Sequence, residues 1–465
     1  MSVQELVVAS KGIVLCDFTH NARCSSVVTD SRAVQPGALF IPLIGEKQDG
    51  HVYISSALES GAKIIFVDTA HGEGSAGMFS QLAKQYGAAI IMVKNTLSAL
   101  QDAARAYIQK FPTLMKIGIT GSSGKTTTKE LCLAIFSQKY QVIANEGNLN
   151  SETGLPLSVF RIRSTDQVGI FELGMNRRRE MTEIARVLSP ETALITNVGT
   201  AHIGILGSQQ AIAEEKKEIF TFFSDASIGF VPEDDEYKDF LASNILGTIL
   251  EFGPTATKGI VSVESNGLQG WTIQYEDQSI KFPMPGPYNL RNAYAAISLA
   301  RQYAIEPALI KKGLESIRPL FGRTEILQGS VTAVFDYYNA NPESMREAMD
   351  FCDSLPWDNE KIFILGSMLE LGSGTLIAHR ELCKMADRSS ANHIFLFGED
   401  IINAGKEIEW EHDSVYFMQT MEDLSAKLSE VLTPNALVFI KGSRGMALER
   451  LRPLLARGTA GVGLA

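Results

Sequence analysis

A strand, a glycine-rich turn and the start of a helix are predicted in close succession over residues 116–130, KIGITGSSGKTTTKE. Ile117 and Ile119 give a β-branched run, and a helical pattern follows Thr126. Such a turn points consecutive backbone N–H groups at one spot, where the helix dipole also favours negative charge. Lys125 adds a positive charge for a phosphate, and the hydroxyl of Thr126 can reach Mg²⁺. The segment therefore predicts a site for a nucleoside triphosphate.

The glycine turn departs from the standard pattern G-x-x-x-x-G-K-[ST], because Gly118 lies one residue too far upstream. The shorter T-G-x-x-G-K-T remains, and an ordinary Gly/Ser turn before a helix is the alternative interpretation. The strand before the turn and the helical segment after it favour the phosphate site. Its candidate residues are Gly121, Ser122, Ser123, Gly124, Lys125, Thr126 and Thr127.

The chain is long enough for several domains and carries an excess of negative charge. Its 465 residues include 42 Lys and Arg against 53 Asp and Glu, a net charge of −11, and a domain takes roughly 100–200 residues. Nucleic-acid-binding proteins are more often basic. We therefore expect no nucleic acid partner, and local clusters of Arg, Lys and backbone N–H groups for any anionic substrate.

Cysteine usage and apolar runs indicate the compartment. Cys16, Cys24, Cys132, Cys352 and Cys383 are scattered without C-x-x-C spacing, which fits a reducing compartment and argues against a structural zinc site. The N-terminal segment MSVQELVVASKGIVLC lacks the basic region and long apolar core of a signal peptide. No segment approaches 18 consecutive apolar residues. We expect a cytoplasmic protein with no membrane insertion.

Three regions differ in pattern. Residues 1–95 mix short strand-like runs, such as 38–44, with turns. Residues 96–320 repeat strand then helix, with an antiparallel stretch at 259–282, and residues 321–465 read as a compact α/β domain. Alternation of strand and helix predicts a parallel sheet covered by helices. The expected fold class is α/β with three domains.

Two polar residues follow predicted strands of the second region. Glu172 ends the apolar run at 167–171, and His202 follows the run at 193–196. Ligands gather at the carboxyl ends of parallel strands, and a carboxylate there can bind Mg²⁺. A helix cap or salt bridge is the alternative for Glu172, and a structural histidine for His202. We expect both residues to converge on the glycine turn.

Other polar motifs read as structural on residue type alone. Lys216 lies in A-E-E-K-K-E, typical of a charged, solvated helix face. The triplets Asp30-Ser-Arg32 and Asp49-Gly-His51 read as turns. Asn341 precedes a proline and is expected to cap a helix.

Asp336 ends the predicted strand 333–335 in the third region. An acid at the end of a buried strand is costly unless it is paired. We therefore expect a partner for this carboxylate.

A series of motifs follows in a fixed order along the chain. They are T-D-S-R at 29–32, P-G-A-L-F-I-P-L-I-G-E at 36–46, D-G-H at 49–51, T-G-S-S-G-K-T-T at 120–127, G-N-L-N-S-E-T-G-L-P at 147–156, F-E-L-G-M-N at 171–176, T-N-V-G-T-A-H at 196–202, E-K-K-E-I-F at 215–220, N-L-R-N-A-Y-A-A at 289–296, G-R at 322–323, D-Y-Y-N-A-N-P-E-S-M at 336–345, G-S-M-L-E-L-G at 366–372 and K-G-S-R at 441–444. Together they resemble the Mur ligases over nearly the whole chain. The Y-N-A-N-P and G-x-M-x-E-L-G segments are the specific ones, and the D-N-P-R expected of diaminopimelate-adding members is absent.

The resemblance implies an ATP-dependent amide ligase that joins D-alanyl-D-alanine to UDP-N-acetylmuramoyl-tripeptide through an acyl phosphate. It implies a small N-terminal α/β domain binding the UDP-sugar (1–95), a central P-loop parallel-sheet domain binding ATP (96–320), and a C-terminal Rossmann-like domain binding the dipeptide (321–465). A monomer is expected.

The resemblance also implies residue roles. Lys125 would hold phosphates, Thr126 and Glu172 one Mg²⁺, and His202 a second. The family's carbamylated lysine falls on Lys216, which would replace the solvated-face interpretation because a carbamate offers carboxylate-like oxygens to a hard metal.

Further contacts are implied at matching positions. Those with the nucleotide are Asn289, Asn292, Arg323, Asp336 and Asn339. Those with the other substrates are Ser31, Arg32, Asp49, His51, Asn150, Ser151, Thr153, Asn341, Lys441, Ser443 and Arg444, of which 441–444 resemble part of the dipeptide end.

The chain departs from the family pattern at two places. Gly204 stands where an acid is usual, and three arginines occupy 177–179, either adding positive charge against an anionic substrate or forming a solvated run. Two alternative functions are a folylpolyglutamate-synthase-like ligase, against which the N-terminal motifs argue, and a nucleotide-dependent switch without catalysis.

Overall fold

The computed structural model describes residues 1–45 and 48–457. The first region forms a five-stranded sheet in the order β1-β5-β4-β3-β2, antiparallel only between β1 and β5. Its strands are β1 (Ile13–Asp17), β2 (Val27–Val28), β3 (Leu39–Phe40), β4 (Ile64–Asp68) and β5 (Ala89–Val93). Its helices are α1 (Val3–Ser10), α2 (Ile54–Glu59) and α3 (Thr69–Tyr86), and α4 (Thr96–Ile108), which begins the second region, packs against α1.

The strand predicted at 38–44 is shorter than expected. Only Leu39–Phe40 pairs as a strand, although the N–H of Ile41 still donates to Val28. Pro42 follows and has no N–H for the ladder, so the strand ends before it. Glu46, the last residue of the 36–46 motif, and residues 458–465, the end of the predicted third domain, lie outside the described residues.

The second region forms a six-stranded, wholly parallel sheet in the order β11-β10-β9-β6-β8-β7. Its strands are β6 (Met115–Thr120), β7 (Val142–Ala144), β8 (Val168–Glu172), β9 (Thr192–Ile195), β10 (Ile228–Pro232) and β11 (Thr248–Phe252). Its helices are α5 (Lys125–Phe136), α6 (Gly154–Val159), α7 (Glu180–Leu188), α8 (Ile203–Leu206), α9 (Gln209–Lys217) and α10 (Lys238–Ala242).

This sheet is covered on both faces, as the near-continuous apolar strands require. Every residue of β8 and β9 is buried. One apolar cluster includes Ile170 and Leu194, and the other includes Phe171 and Ile195. The predicted parallel sheet is confirmed, with strand bounds shifted by one residue.

A separate three-stranded antiparallel sheet follows at the stretch predicted to be antiparallel. It consists of β12 (Ile260–Ser265), β13 (Trp271–Tyr275) and β14 (Gln278–Phe282). The helices α11 (Pro287–Gln302) and α12 (Pro307–Ser316) come next, and α11 packs on α5 behind the glycine turn.

The third region forms a six-stranded sheet in the order β15-β16-β20-β17-β18-β19, parallel except between β15 and β16. Its strands are β15 (Glu325–Gln328), β16 (Thr332–Asp336), β17 (Lys361–Gly366), β18 (His393–Phe397), β19 (Val415–Met418) and β20 (Leu437–Lys441). Its helices are α13 (Pro342–Ser354), α14 (Thr375–Asp387), α15 (Glu399–Gly405), α16 (Met421–Val431) and α17 (Arg452–Arg457). The predicted three-domain α/β class is confirmed.

The cysteines are all free thiols. Cys132, Cys352 and Cys383 are buried, whereas Cys16 and Cys24 in the first region are half-buried. Within residues 1–45 and 48–457, no helix combines the length and apolar character needed to cross a membrane.

Candidate active site

A cavity of about 580 Å³ opens where the middle and C-terminal sheets face each other, beside the carboxyl ends of β6, β8 and β9. Many residues implicated by the sequence line it. They are Ser122, Ser123, Gly124, Lys125, Thr126, Thr127, Asn150, Glu172, His202, Asn289, Asn292, Arg323, Asp336, Asn339, Asn341 and Lys441. The expected convergence of Glu172, His202 and the glycine turn is therefore found.

The glycine turn leaves no room for side chains at its two glycines. Gly121 has φ +153°, and a Cβ there would lie 1.7 Å from Thr196 Oγ1. Gly124 has φ +78°, and a Cβ there would lie 2.4 Å from Asn292 Oδ1. Gly121 itself does not line the cavity but lets the turn approach β9. Both positions need glycine for close approach as well as for backbone conformation.

Asn197 fixes the shape of the turn. Its side-chain oxygen accepts the backbone N–H groups of Ser122 and Ser123 at 3.1 and 2.9 Å. Sequence reasoning missed this residue, although it follows β9 directly and the strand-end rule that selected Glu172 could have found it. The backbone conformation of the turn is therefore fixed before any ligand binds, with its N–H groups next to the N-terminus of α5.

Lys125 lies at the base of the cavity, where its Nζ donates to the carbonyl of Gly121 at 2.9 Å. Burial, and then the nearby guanidinium of Arg323, lower the pKa of Lys125, while the carboxylate of Glu172 opposes them. An anionic ligand here would raise the pKa of this amine again, because an opposite charge favours the protonated form.

Glu172 and Thr126 form the acidic side of the cavity. The Thr126 hydroxyl donates to Glu172 Oε2 at 2.8 Å, and the Asn150 amide donates to Oε1 at 2.7 Å. Glu172 is 3 % exposed, yet the side chains that donate to its carboxylate, Thr126 and Asn150, are both uncharged. A buried carboxylate held only by neutral donors is suited to receive a cation.

His202 lines the cavity, whereas Lys216 does not line it but lies close enough for its charge to act on His202. Burial, followed by the charges of Lys125 and Lys216, lowers the pKa of His202 to about 4. Lys216 is 1 % exposed, and burial, then Lys125, holds the pKa of its amine well below the usual value. The prediction of a solvated face at Lys216 is therefore wrong. Its face of α9 packs inward with Ile212, and in that motif it is Glu214 that is exposed.

The C-terminal domain contacts the glycine turn directly. The Asn341 amide donates to Ser123 Oγ at 3.0 Å, and Arg323 donates to Thr126 Oγ1 at 3.0 Å. Glu343 accepts from the N–H and hydroxyl of Thr200 at 3.1 and 3.0 Å. The motif at 336–345 contains Glu343, but sequence reasoning assigned it no role, because nothing local distinguishes it from an ordinary acid in the first turn of a helix.

Two structural expectations in the third region are confirmed. Asn341 caps α13 by accepting the N–H of Ser344 at 2.8 Å. Asp336 is paired with Lys441, whose Nζ lies 2.5 Å from Oδ2, and its Oδ1 accepts the N–H of Thr324 at 3.1 Å. Lys441 also donates to the carbonyl of Asn339 at 3.3 Å. The pair holds the ends of β16 and β20 together.

The implicated residues of the first region do not line the cavity. Asp30 and Asp49 cap short 3₁₀ helices by accepting the N–H groups of Arg32 and His51, so the turn interpretation of both triplets is confirmed. Ser31 lies in the first of these helices, and the Arg32 guanidinium is largely exposed and pairs with Asp30.

His51 is buried and already has partners on both ring nitrogens. Nδ1 lies 2.8 Å from Asp49 Oδ1, and Nε2 accepts the N–H of Asp68 at 3.2 Å. Its ring stacks on that of His71 with 4.0 Å between centroids. His51 therefore supports the first domain internally in this structure.

The remaining implicated residues, Ser151, Thr153, Ser443 and Arg444, do not line the cavity. Ser151 accepts the N–H of Gly154 at 3.2 Å, and Thr153 precedes α6. Ser443 Oγ accepts the N–H of Leu369 at 2.9 Å, and Arg444 is exposed with its guanidinium 5.4 Å from the centre of the Phe321 ring.

The arginine run at 177–179 makes ion pairs and hydrogen bonds with neighbouring segments. Arg177 pairs with Glu152 and Glu183, and these carboxylates raise its pKa despite partial burial. Glu215 accepts the N–H of Arg179 at 2.8 Å. The charge of Arg177 is therefore already compensated.

Comparison with known proteins places these features in a family. The chain matches the Mur ligase family catalytic domain at residues 23–108, the Mur ligase middle domain at 119–300 and the Mur ligase glutamate ligase domain at 322–444. It is 44 % identical over 458 residues to a Treponema pallidum protein named UDP-N-acetylmuramoyl-tripeptide–D-alanyl-D-alanine ligase, covering 98 % of this chain and 99 % of that one. The chain belongs to the Mur ligase family. It is an ATP-dependent ligase.

Other Mur ligases agree in length and fold. A Bacillus subtilis relative of the same name is 32 % identical, with 91 % of this chain and 92 % of that one covered. The crystal structure of MurF from Acinetobacter baumannii superposes with a TM-score of 0.86 at 26 % identity, covering 98 % of both chains. The similarity extends through all three regions, including the first.

Proposed function

We propose that this Mur ligase uses ATP to join D-alanyl-D-alanine to the peptide carboxylate of UDP-N-acetylmuramoyl-tripeptide, giving the pentapeptide. The observation that carries the proposal is the full-length 44 % identity to a relative named for this activity. The cavity supports it, because a phosphate-binding turn, a buried carboxylate and an imidazole line it beneath the C-terminal domain, and the buried Lys216 lies close enough to affect the pKa of that imidazole.

The reaction needs an activated carboxylate. The terminal carboxylate oxygen of the tripeptide attacks the γ-phosphorus of ATP, and ADP leaves. The dipeptide amine then attacks the carbonyl carbon of the acyl phosphate, loses a proton, and phosphate leaves as the amide forms. Negative charges accumulate in both steps, so positioning and electrostatic stabilisation carry the catalysis.

Lys125 and the N–H groups of the turn hold the β- and γ-phosphates in this proposal. Lys125 starts α5, and the positive end of that helix adds to its charge. Asn289, Asn292, Arg323, Asp336 and Asn339 complete the nucleotide side of the cavity. Arg323 already reaches the Thr126 hydroxyl, so the C-terminal domain contributes directly to the phosphate site.

The donor set fits Mg²⁺. Thr126 and Glu172 would hold one ion, since Glu172 is a buried carboxylate without a cationic partner among the described residues. His202, uncharged at neutral pH because of its lowered pKa of about 4, and a carbamylated Lys216 would hold a second. When bound, Mg²⁺ supplies charge neutralisation for the phosphate oxygens.

The burial of Lys216 supports its carbamylation. Only an uncharged amine attacks CO₂, and the lowered pKa of Lys216 keeps more of it uncharged than a solvated lysine would be. The product would be an anion near the cation of Lys125. Carbamylation would therefore turn a buried amine that is held largely uncharged into an anionic oxygen ligand.

The other substrates are assigned by region. In this proposal residues 1–95 bind the UDP-sugar, with Asn150, Ser151 and Thr153 of the 96–320 domain facing it. Residues 321–465 bind the dipeptide through the segment 441–444. The protein acts as a monomer in the cytoplasm.

Phosphate release with each candidate acceptor tests the proposal. ATP is supplied with UDP-N-acetylmuramoyl-tripeptide ending in lysine or diaminopimelate, with and without D-alanyl-D-alanine, and products are weighed by mass spectrometry. We expect release only with both substrates and a pentapeptide mass. Release with glutamate and a folate would favour the folylpolyglutamate-type ligase, and nucleotide binding without turnover would favour a switch.

A further inference from the structure

The loop that follows β17 docks on α8 of the middle domain. The N–H of Gly204 donates to the carbonyl of Glu370 at 3.2 Å. A Cβ at Gly204 would lie 2.6 Å from that carbonyl oxygen and 2.6 Å from the nitrogen of Gly372. A Cβ at Gly372 would in turn lie 2.7 Å from Gly204 Cα. Two facing glycines therefore permit this contact.

The docked loop brings a carboxylate to the cavity histidine. Glu370 Oε2 lies 3.0 Å from His202 Nδ1. Nδ1 is buried and makes no hydrogen bond in this arrangement, so the distance is already suitable while the angle is not.

The backbone of Glu370 is held in a costly conformation. Its φ is +66°, a left-handed value that a residue with a Cβ seldom adopts without compensation. The His202 backbone also has φ +66°. Both sides of the contact are therefore strained, and strain of this kind is concentrated at functional sites.

The chain around His202 supplies no acid of its own. The residues that follow, I-G-I-L-G-S at 203–208, contain no carboxylate. Among the described residues, Glu370 is the carboxylate within ion-pair distance of His202. The group that could orient this imidazole therefore comes from the other domain.

We propose that Glu370 is a positioning residue for His202. It accepts the Nδ1–H, fixes the neutral tautomer and leaves Nε2 as the ligand atom, the arrangement in which a carboxylate supports a metal-bound histidine. Because Glu370 reaches His202 only when the C-terminal domain docks, the imidazole is oriented only in the closed enzyme. The inference rests on the proposed role of His202 as a metal ligand.

Mn²⁺ binding to the full-length protein tests the inference without turnover. Mn²⁺ is titrated by electron paramagnetic resonance in the presence of a non-hydrolysable ATP analogue. We expect Glu370→Ala to weaken Mn²⁺ binding by about tenfold or more, and Glu370→Gln to weaken it less, because an amide oxygen still accepts the Nδ1–H. Glu381→Ala is the matched control, since Glu381 is exposed on the same domain and pairs with Lys384.

A second variant tests the docking itself. Gly204→Ala places a methyl group against the 370–372 loop and should reproduce the Mn²⁺ defect without removing any carboxylate. In turnover, Glu370→Ala should lower kcat with little change in the KM for ATP. Wild-type Mn²⁺ affinity in both Glu370→Ala and Gly204→Ala would overturn the inference, as would a wild-type protein that binds no Mn²⁺.

The outcomes separate this inference from the proposed function. If wild-type protein forms no pentapeptide, the proposed function fails, yet the Mn²⁺ comparison still decides the role of Glu370. If Glu370→Ala does not fold, Glu370→Gln gives the answer, and unchanged Mn²⁺ affinity in a folded Glu370→Gln together with Gly204→Ala counts against it.

Discussion

The side-chain amide of Asn341, on the C-terminal domain, donates a hydrogen bond to the Ser123 hydroxyl of the glycine turn at 3.0 Å. The same side chain accepts the N–H of Ser344 and caps α13. One residue therefore links the stability of a helix to the closure of two domains over the cavity.

Substitutions at Asn341 should separate these two roles. Asn341→Asp keeps the capping oxygen but loses the amide donor, so we expect a nearly unchanged Tm and phosphate release reduced about tenfold, the value of one lost interdomain hydrogen bond. Asn341→Ala should lose activity and also about 1 kcal/mol of stability. Ser344→Ala is the control, because it disturbs the cap without touching Ser123. Equal activity in wild type and Asn341→Asp would contradict a role in closure.

Lys125→Ala should abolish turnover while the fold survives. The turn is shaped by its glycines and by Asn197, so removal of the amine should leave it intact. Loss of a preorganised charge at the phosphates should lower kcat by at least about 100-fold. Phosphate release and thermal melting measure the two effects. Activity near wild type would contradict the phosphate site.

Lys216→Ala should be rescued in part by formate or acetate. If Lys216 is carbamylated, the variant lacks an oxygen ligand that a small carboxylate can replace. Lys217→Ala is the matched control, because Lys217 donates to the Phe240 carbonyl and Ser243 hydroxyl instead. Rescue is measured as phosphate release against carboxylate concentration. A fully active Lys216→Ala variant would show that the carbamate is not required.

His71 should stabilise the first domain in a pH-dependent way. The hydrogen bond to Asp68, opposed by desolvation and reinforced by Asp49, raises its pKa. A raised folded-state pKa gives stability that is fully present below the unfolded value near 6.5 and is lost as pH rises through the folded value. His71→Gln should therefore lower Tm more at pH 6 than at pH 9. The corresponding difference in the free energy of unfolding should be no more than about 1 kcal/mol, because a third of the side chain is exposed. Equal Tm losses at both pH values would exclude the charged pair.

Features that depend only on neighbouring residues in the chain could be predicted from the sequence. The strand, glycine turn and helix at 116–130 and the carboxylate at the end of β8 could be predicted because periodicity and turn chemistry specify them. Strands β15 and β19 were not predicted, since each is a half-buried edge strand without a continuous apolar run.

Contacts between residues of different domains could not be predicted from the local sequence. Glu343 and Glu370 lie in the motifs at 336–345 and 366–372, but those segments do not reveal their partners, which lie more than 140 residues away in the chain. The charge pattern around Lys216 suggested solvent, and only packing of α9 showed burial. The domain boundaries and residue roles remain predictions.

The five thiols differ in burial, so a thiol-reactive dye should modify one domain of the native chain in preference to the others. Cys132, Cys352 and Cys383 are buried, and burial raises the pKa of Cys383 to about 12, so thiolate is scarce in the middle and C-terminal lobes. Cys16 and Cys24, both in the N-terminal lobe, are only half-buried, although burial raises the pKa of Cys16 as well. A maleimide fluorophore would therefore attach to that lobe of the unaltered protein and follow its motion when substrates arrive.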